Sequence, residues 1–281
     1  FVRDIILKSS KKNSLIVSKD VDLVVEGSAT KLALALKQKL GKERVVEMRI
    51  HSDYNTAEIK IDGFPIDLAS ARREEYRMPG NNPEIRLCSL KEDLLRRDFT
   101  INAMAIDLSD MRLIDPYGGK TALLKKEIQF LHSKSVEEDP TRVIRAARYS
   151  ARFGFNLAPQ DLQQIQSTIA NWPWAWKHGD TTDHVPPALG TRLRMEIEKL
   201  LSQEPWEQAF SSLQSWGGLL LLDPSLQEDQ YLKRRMKWSS KLGSEPLTAL
   251  LVGSKNSSDL AKRLQLSKQQ QDLINQGAVI E

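Results

Sequence analysis

Cys88 is the only cysteine in 281 residues, which excludes an internal disulfide and a zinc site built on several thiolates. Nowhere does the chain stay apolar for the roughly 18 residues that a membrane helix needs. No short apolar signal region stands near the start either, so the chain reads as cytoplasmic with no membrane partner. Internal repeats and low-complexity tracts are absent, which argues against solenoid or disordered architectures. An excess of one charge sign is also small. Lys and Arg number 41 against 37 Asp and Glu, a net charge of +4, which hints at a nucleic-acid partner but does not identify one. The chain opens at Phe1 in what reads as the middle of a motif, so a fragment of a longer protein is expected, with an N-terminal strand and a C-terminal piece outside it.

What is present is an ordinary globular composition, 40% hydrophobic and 28% charged, in two styles of patterning. Up to about residue 115, strand-like and helix-like pieces alternate. Val21–Val25 is a β-branched run, Ala29–Leu40 is an Ala/Leu/Lys helix stopped by Gly41, and Val45–Ile50 reads as a strand. Ala57–Ile61 and Phe64–Leu68 flank Asp62-Gly63, the signature of a hairpin. Met78–Pro83 is loop, Ser89 with Glu92 forms a capping box for a helix reaching Arg97, and Met111–Ile114 is a short strand before the Asp115–Gly119 turn. Beyond residue 116 the periodicity turns helical, broken at 171–187 by three tryptophans and three prolines, a loop packed by its aromatics. These patterns predict an α+β fold, a small mixed sheet with helices followed by an all-α remainder. The expected divisions are a head over 1–115, a helical neck over 116–201 and a helical body over 202–281.

Three carboxylates stand out in the head. Asp20 and Asp22 share one face of a strand, and such a pair repels itself unless a cation lies between. Asp67 sits among Phe64, Pro65, Ile66 and Leu68, where partial burial of a carboxylate is expected. Together Asp20, Asp22 and Asp67 suit Mg²⁺, a hard cation held by one or two carboxylates plus substrate phosphates, and hence displacement at phosphorus. The competing explanations are a solvated turn for Asp20 and Asp22, and an ion pair with Arg72 or Arg73 for Asp67. Arg96 and Arg97 end a helix with the fork geometry that phosphates favour. Asp98 and Asn102, four apart on a shared helix face, suit a ribose hydroxyl.

Glu138-Asp139-Pro140-Thr141-Arg142 opens a helix, with Asp139 at the cap. Asp139 and Arg142 lie three apart and match the amine and ring nitrogen that cytosine and adenine both present. Guanine and uracil show the opposite pattern and leave both protein groups unpaired. A helix cap with its own ion pair is the plainer alternative. Arg145 and Arg148 carry the basic stripe onward toward a triphosphate or RNA backbone.

In this order and spacing the motifs resemble the class II tRNA nucleotidyltransferases: the bacterial CCA-adding and A-adding enzymes and their poly(A) polymerase relatives. The match runs through Val2-Arg3-Asp4, Asp20-Val21-Asp22, Arg96–Ala105, Asp115–Gly119, Glu138–Arg142 and Arg145–Tyr149. The resemblance implies a polymerase-β-like head and addition of A or CCA from ATP and CTP to the 3′ end of tRNA. It implies Asp20 and Asp22 as Mg²⁺ ligands, Asp67 as third carboxylate, and Arg3 on the triphosphate. It further implies Arg97 on the nucleotide, Asp139 and Arg142 on the base with Arg145 and Arg148 nearby, and a helical body against the tRNA. Two glycines that precede Val-Arg-Asp in the family do not appear in this sequence, and Thr191 stands where a Glu is usual before Arg192. Residues 73–95 are long enough for the flexible loop that addition of the final A requires, and their composition is closer to A-adding or CCA-adding relatives. A poly(A) polymerase for general RNA ends and a catalytically silent RNA-binding relative are the competing functions.

Overall fold

The computed structural model describes residues 2–9, 21–52 and 55–277, so Asp20 lies outside the described residues. The chain divides into two compact units, Phe1–Glu75 with Glu84–Lys125, and Tyr76–Pro83 with Lys126–Glu281.

The first unit begins with α1 (Val2–Ser9), β1 (Val21–Val25) and α2 (Ala29–Leu40). Ser28 caps α2 by accepting from the Lys31 N–H, and Gly41 ends it at a φ of 80°. β2 (Val45–His51), β3 (Thr56–Ile61) and β4 (Phe64–Ser70) follow, with Asp62 and Gly63 both at positive φ, the backbone that a two-residue hairpin turn demands. The sheet order is β1-β4-β3-β2. β1 runs parallel to β4, and the other pairings are antiparallel. Ala57, Ile59 and Leu68 point from one face onto Ala29 and Ala33 of α2, with Leu23 and Ile66 packed alongside. The alternation of strand side chains therefore leaves the opposite face to Asp22, Asp67, Glu58 and Arg49, which lie in register across the four strands.

β5 (Arg72–Glu75) and β6 (Glu84–Leu87) form a second hairpin, followed by α3 (Leu90–Leu95), a 3₁₀ turn at Thr100–Asn102, β7 (Ala105–Ile106), β8 (Leu113–Ile114) and α4 (Gly119–Lys125). The segment 73–95, long enough to include a flexible loop, holds the end of β5, the loop 76–83, β6 and α3. Its anchor is non-local: Arg96 donates to the Arg72 carbonyl at 2.9 Å and to Glu74 at 3.2 Å. Asp115 opens α4 by accepting from the N–H groups of Gly119 at 2.7 Å and Lys120 at 2.9 Å. Gly119 is required by packing, since a Cβ there would lie 2.3 Å from the Thr100 carbonyl oxygen and 2.8 Å from Met104.

The second unit carries β9 (Glu127–Ile128), α5 (Ser135–Glu138), α6 (Thr141–Phe153), β10 (Asn156–Leu157), α7 (Pro159–Asn171) and α8 (Thr191–Gln203). It continues with α9 (Trp206–Trp216), α10 (Pro224–Gln227), α11 (Leu232–Leu242), α12 (Pro246–Val252), α13 (Ser257–Arg263) and α14 (Lys268–Gly277). Val143, Ile144, Ala146 and Ala147 bury one side of α6 completely. The aromatic loop is packed as expected: Trp174 and Trp176 are buried, and their ring N–H groups donate to the carbonyls of Glu137 and Thr181. Gly80, at a φ of 77°, gives its N–H to Glu138 and its carbonyl to Ala188, which fastens 76–83 within this unit. No helix among the described residues is long and apolar enough to cross a membrane.

Gly119→Ala is expected to cost about 2 kcal/mol through overpacking against fixed backbone. A urea midpoint unchanged from the parent would contradict that close approach.

Candidate functional site

The residues with chemistry fall in both units, and each group has its own geometry. In the first unit Asp22 is the direct register partner of Asp67 across the parallel pair β1–β4. Both are exposed, which corrects the expectation of a partly buried Asp67. Its apolar neighbours Ile66 and Leu68 alternate onto the α2 side, and Asp67 takes the open face. Arg72 and Arg73, the alternative partners, reach Glu74 at 3.6 Å and Glu75 at 3.0 Å. Asp67 also has Glu58 beside it on β3. Among the described residues, no three His, Cys, Asp or Glu side chains gather closely enough to hold a metal ion by themselves. Two adjacent carboxylates nevertheless fit a hard cation that completes its shell with phosphate oxygens.

The end of α3 is organised by a residue that sequence reasoning passed over. Asp93 is fully buried and takes Arg96 at 2.8 Å, Arg97 at 3.2 Å and the Arg72 N–H at 3.1 Å. Its signal was its position, three and four residues before the two arginines, on their helix face. Arg96 is committed to this brace. Arg97 is a third exposed, donates to the Asn102 carbonyl at 3.4 Å and keeps its Nε without a hydrogen-bond partner. The helix ends before Asp98, so Asp98 and Asn102 meet through the 3₁₀ turn and not along one helix face. There Asn102 donates to Asp98 at 2.8 Å, and Arg3 of α1 donates to Asn102 at 2.6 Å. The fold therefore brings Arg3, Arg97, Asp98 and Asn102 into one connected group.

In the second unit Asp139 sits one residue ahead of the formal cap Pro140. Its carboxylate still does the capping, accepting from the Thr141 N–H at 3.0 Å and hydroxyl at 2.6 Å. Arg192 of α8 approaches its other oxygen at 3.2 Å. Arg142 is 5% exposed, donates to the Ser135 carbonyl at 3.3 Å and lies 3.6 Å from Glu138. Arg145 and Arg148 are placed differently from a phosphate-binding stripe. Both meet Glu196 of α8, and Arg148 and Arg152 meet Glu204. Burial works against the Glu196 charge, but Arg145, Lys199 and Arg148 together outweigh it and hold its carboxyl below its ordinary 4.5. The partners Glu196 and Glu204 lie about fifty residues downstream, where no local pattern announces them.

Because the folded carboxyl is the stronger acid, the Glu196 contribution is full at neutral pH and is lost as pH falls below about 4.5. Glu196→Gln is therefore expected to cost roughly 2 kcal/mol at pH 7, with the gap to the parent closing in acid. Equal stability of the two proteins at pH 7 would contradict the brace.

Residues 1–129 match the family model of the Poly A polymerase head domain. The A-adding tRNA nucleotidyltransferase of Geobacter sulfurreducens is 37% identical over 230 residues, which is 80% of this chain and 24% of that relative. The CC-adding tRNA nucleotidyltransferase of Deinococcus radiodurans is 35% identical over 207 residues, 72% of this chain and 50% of that relative. A solved apo form of a CCA-adding enzyme superposes with a TM-score of 0.77 at 29% identity, covering 100% of this chain and 65% of that one. The chain spans half or less of the length of these two curated relatives. Residues 1–129 thus match a poly A polymerase head domain, and the chain is similar in sequence and fold to tRNA nucleotidyltransferases.

Proposed function

We propose that this chain adds A or CCA to the 3′ end of tRNA without a nucleic-acid template, using ATP and CTP. In this reading residues 1–115 are the catalytic head, 116–201 the nucleotide-reading neck and 202–281 a body that holds tRNA in the cytoplasm. The observation that carries it is the register of Asp22 with Asp67 on an uncovered sheet face. These two, with Asp20 preceding them in sequence, would hold Mg²⁺. Mg²⁺ bound there supplies a Lewis acid for the attacking 3′ hydroxyl and charge to balance the leaving pyrophosphate.

The remaining steps belong to the side chains. Arg97, a third exposed, would meet a phosphate oxygen, and Arg3, aligned by Asn102, lies in the same group. Asp98 and Asn102, hydrogen-bonded to each other at 2.8 Å, would meet a ribose hydroxyl. Asp139 accepts from Thr141 twice and from Arg192 once, which leaves about one of a carboxylate's four acceptor positions for a base amine. With Arg142 donating to the ring nitrogen, C and A are satisfied and G and U leave both groups unpaired. Arg145 and Arg148 serve this reading as braces, because Glu196 and Glu204 already occupy them. A catalytically silent relative has no physical need for two like charges in register at an exposed sheet edge.

Mg²⁺-dependent incorporation of labelled ATP and CTP tests the proposal, with tRNA lacking CCA, tRNA ending in CC and unstructured RNA as acceptors. All three nucleotides on the first acceptor means CCA addition, and A on the CC-ended tRNA alone means A addition. Preference for unstructured RNA would replace the reading with poly(A) synthesis. Asp22→Ala is expected to abolish incorporation with tRNA binding nearly intact, because the carboxylates act on chemistry. Parental turnover in that variant would remove the metal assignment.

A further inference from the structure

The sequence of α11 holds five cations and no carboxylate in 11 residues. Part of its surface is spent on the fold. Leu232, Met236 and Ser239 are buried within the unit, and Arg235 turns inward onto Asp229 at 2.5 Å and the Ala249 carbonyl at 2.8 Å. The opposite side is exposed. Lys233, Lys237 and Lys241 lie four residues apart on it, in a row that advances about 6 Å per step. Lys233 donates to Ser211 of α9 at 2.7 Å and Lys237 meets Glu207 of α9 at 3.2 Å, so the first half of the row stands beside α9. Arg234 and Trp238 form a second row next to the first, again four apart and both exposed. Lys241 Nζ lies 5.0 Å from the centre of the Trp238 ring, and Trp238 is nevertheless 52% exposed.

We propose that this side of α11 is an RNA-docking ridge, on which Lys233, Arg234, Lys237 and Lys241 take phosphates of one strand and Trp238 stacks on an unpaired base of the same RNA. Taking tRNA as that RNA rests on the reading above, in which residues 202–281 hold tRNA. What is added is the face that makes the contact and the chemistry by which it does so. A row of cations on a rigid helix attracts a polyanion whose charges repeat at a comparable spacing, and each neutralised phosphate releases counterions. Charge alone would also suit an acidic protein. Trp238 decides between them, because an indole left half in water among cations offers a flat face to a nucleobase, whichever base is present. Stacking of this kind favours an unpaired base over a duplex, whose bases are covered by their neighbours. A membrane surface is served less well. A helix lying in a lipid interface sinks its apolar side toward the acyl chains, and the apolar side of α11 is already buried in the protein. Glu207 offsets part of the charge at Lys237, which leaves Lys233, Arg234 and Lys241 as the stronger phosphate ligands.

The test measures binding of fluorescently labelled RNA to the whole chain by anisotropy over a salt series, without metal or nucleotide. The probes are tRNA lacking CCA, a single strand of mixed sequence and a blunt RNA duplex. Trp238→Ala is expected to raise the Kd about tenfold for the single strand and for tRNA, and less than about twofold for the duplex. Trp238→Phe keeps a ring and is expected to recover most of the loss. Lys233→Gln, Arg234→Gln and Lys241→Gln together are expected to make the slope of log K against log salt shallower by about 2, from three phosphates at about 0.7 each. All these positions are exposed, and a parental thermal midpoint confirms that each variant is folded. Parental Kd and slope in every variant would overturn the proposal, as would a Trp238→Ala loss equal on single strand and duplex. Vesicles of phosphatidylcholine and phosphatidylserine serve as the lipid probe. Vesicle binding that falls in the variants while RNA binding holds would also overturn it. RNA binding lost in the variants, with no incorporation of ATP or CTP by the parent, would support the ridge and remove the proposed reaction. Incorporation by the parent, with RNA binding unmoved in the variants, would do the reverse.

Discussion

Parallel pairing of β1 with β4 sets the geometry on which the rest of the head depends. A parallel neighbour cannot follow through a tight turn, and here α2, β2 and β3 intervene before the chain returns to lie beside β1. Once it does, register decides function. Aligning Leu23 with Leu68 under α2 places Asp22 against Asp67 on the far side. A slip of one residue in β4 would put Asp67 into the core and Leu68 into water, so the apolar face and the carboxylate pair enforce each other. The repulsion between two adjacent carboxylates is the local cost, and a bound cation offsets it.

Buried charge in the second unit is handled by a different rule. The arginines of α6 stand one turn apart on a helix whose other side is fully buried, so each needs a carboxylate before it can be accommodated. Glu138 meets Arg142, Glu196 meets Arg145 and Arg148, and Glu204 meets Arg148 and Arg152. The same logic fixes Asp93 under Arg96 and Arg97 in the head. Such networks stabilise little for their number of contacts, because desolvation opposes them, but removing one member leaves its partner uncompensated. Their value is in orientation: they determine which donors remain for a ligand.

Local signals were legible in the sequence. The run Val21–Val25, the Asp62-Gly63 hairpin, the Ser89 capping box and the helix opened at Asp139 all appear where composition and spacing put them. Elements held by distant partners were not legible. Arg72–Glu75 and Glu84–Leu87 are too charged to read as strands, and they pair because Arg96 and Asp93 fasten one of them from α3. Asp67 looked buried because its sequence neighbours are apolar, yet strand alternation turns those neighbours away from it. The ordered arginines of α6 pointed to an anion, and the carboxylates they meet come from α8 and the residue after it. Residue type and order identified the candidate site, while the partners that limit each residue's role became visible only in three dimensions.

The central claim is that Asp22 and Asp67 act as a register-locked pair of metal ligands. The most direct measurement is Mn²⁺ binding to the whole chain by electron paramagnetic resonance, with Asp67→Asn compared with Glu58→Gln, its neighbour in the same row. The account predicts that Asp67→Asn weakens Mn²⁺ binding strongly and Glu58→Gln leaves it near the parental value. Equal binding by Asp67→Asn and the parent would contradict it.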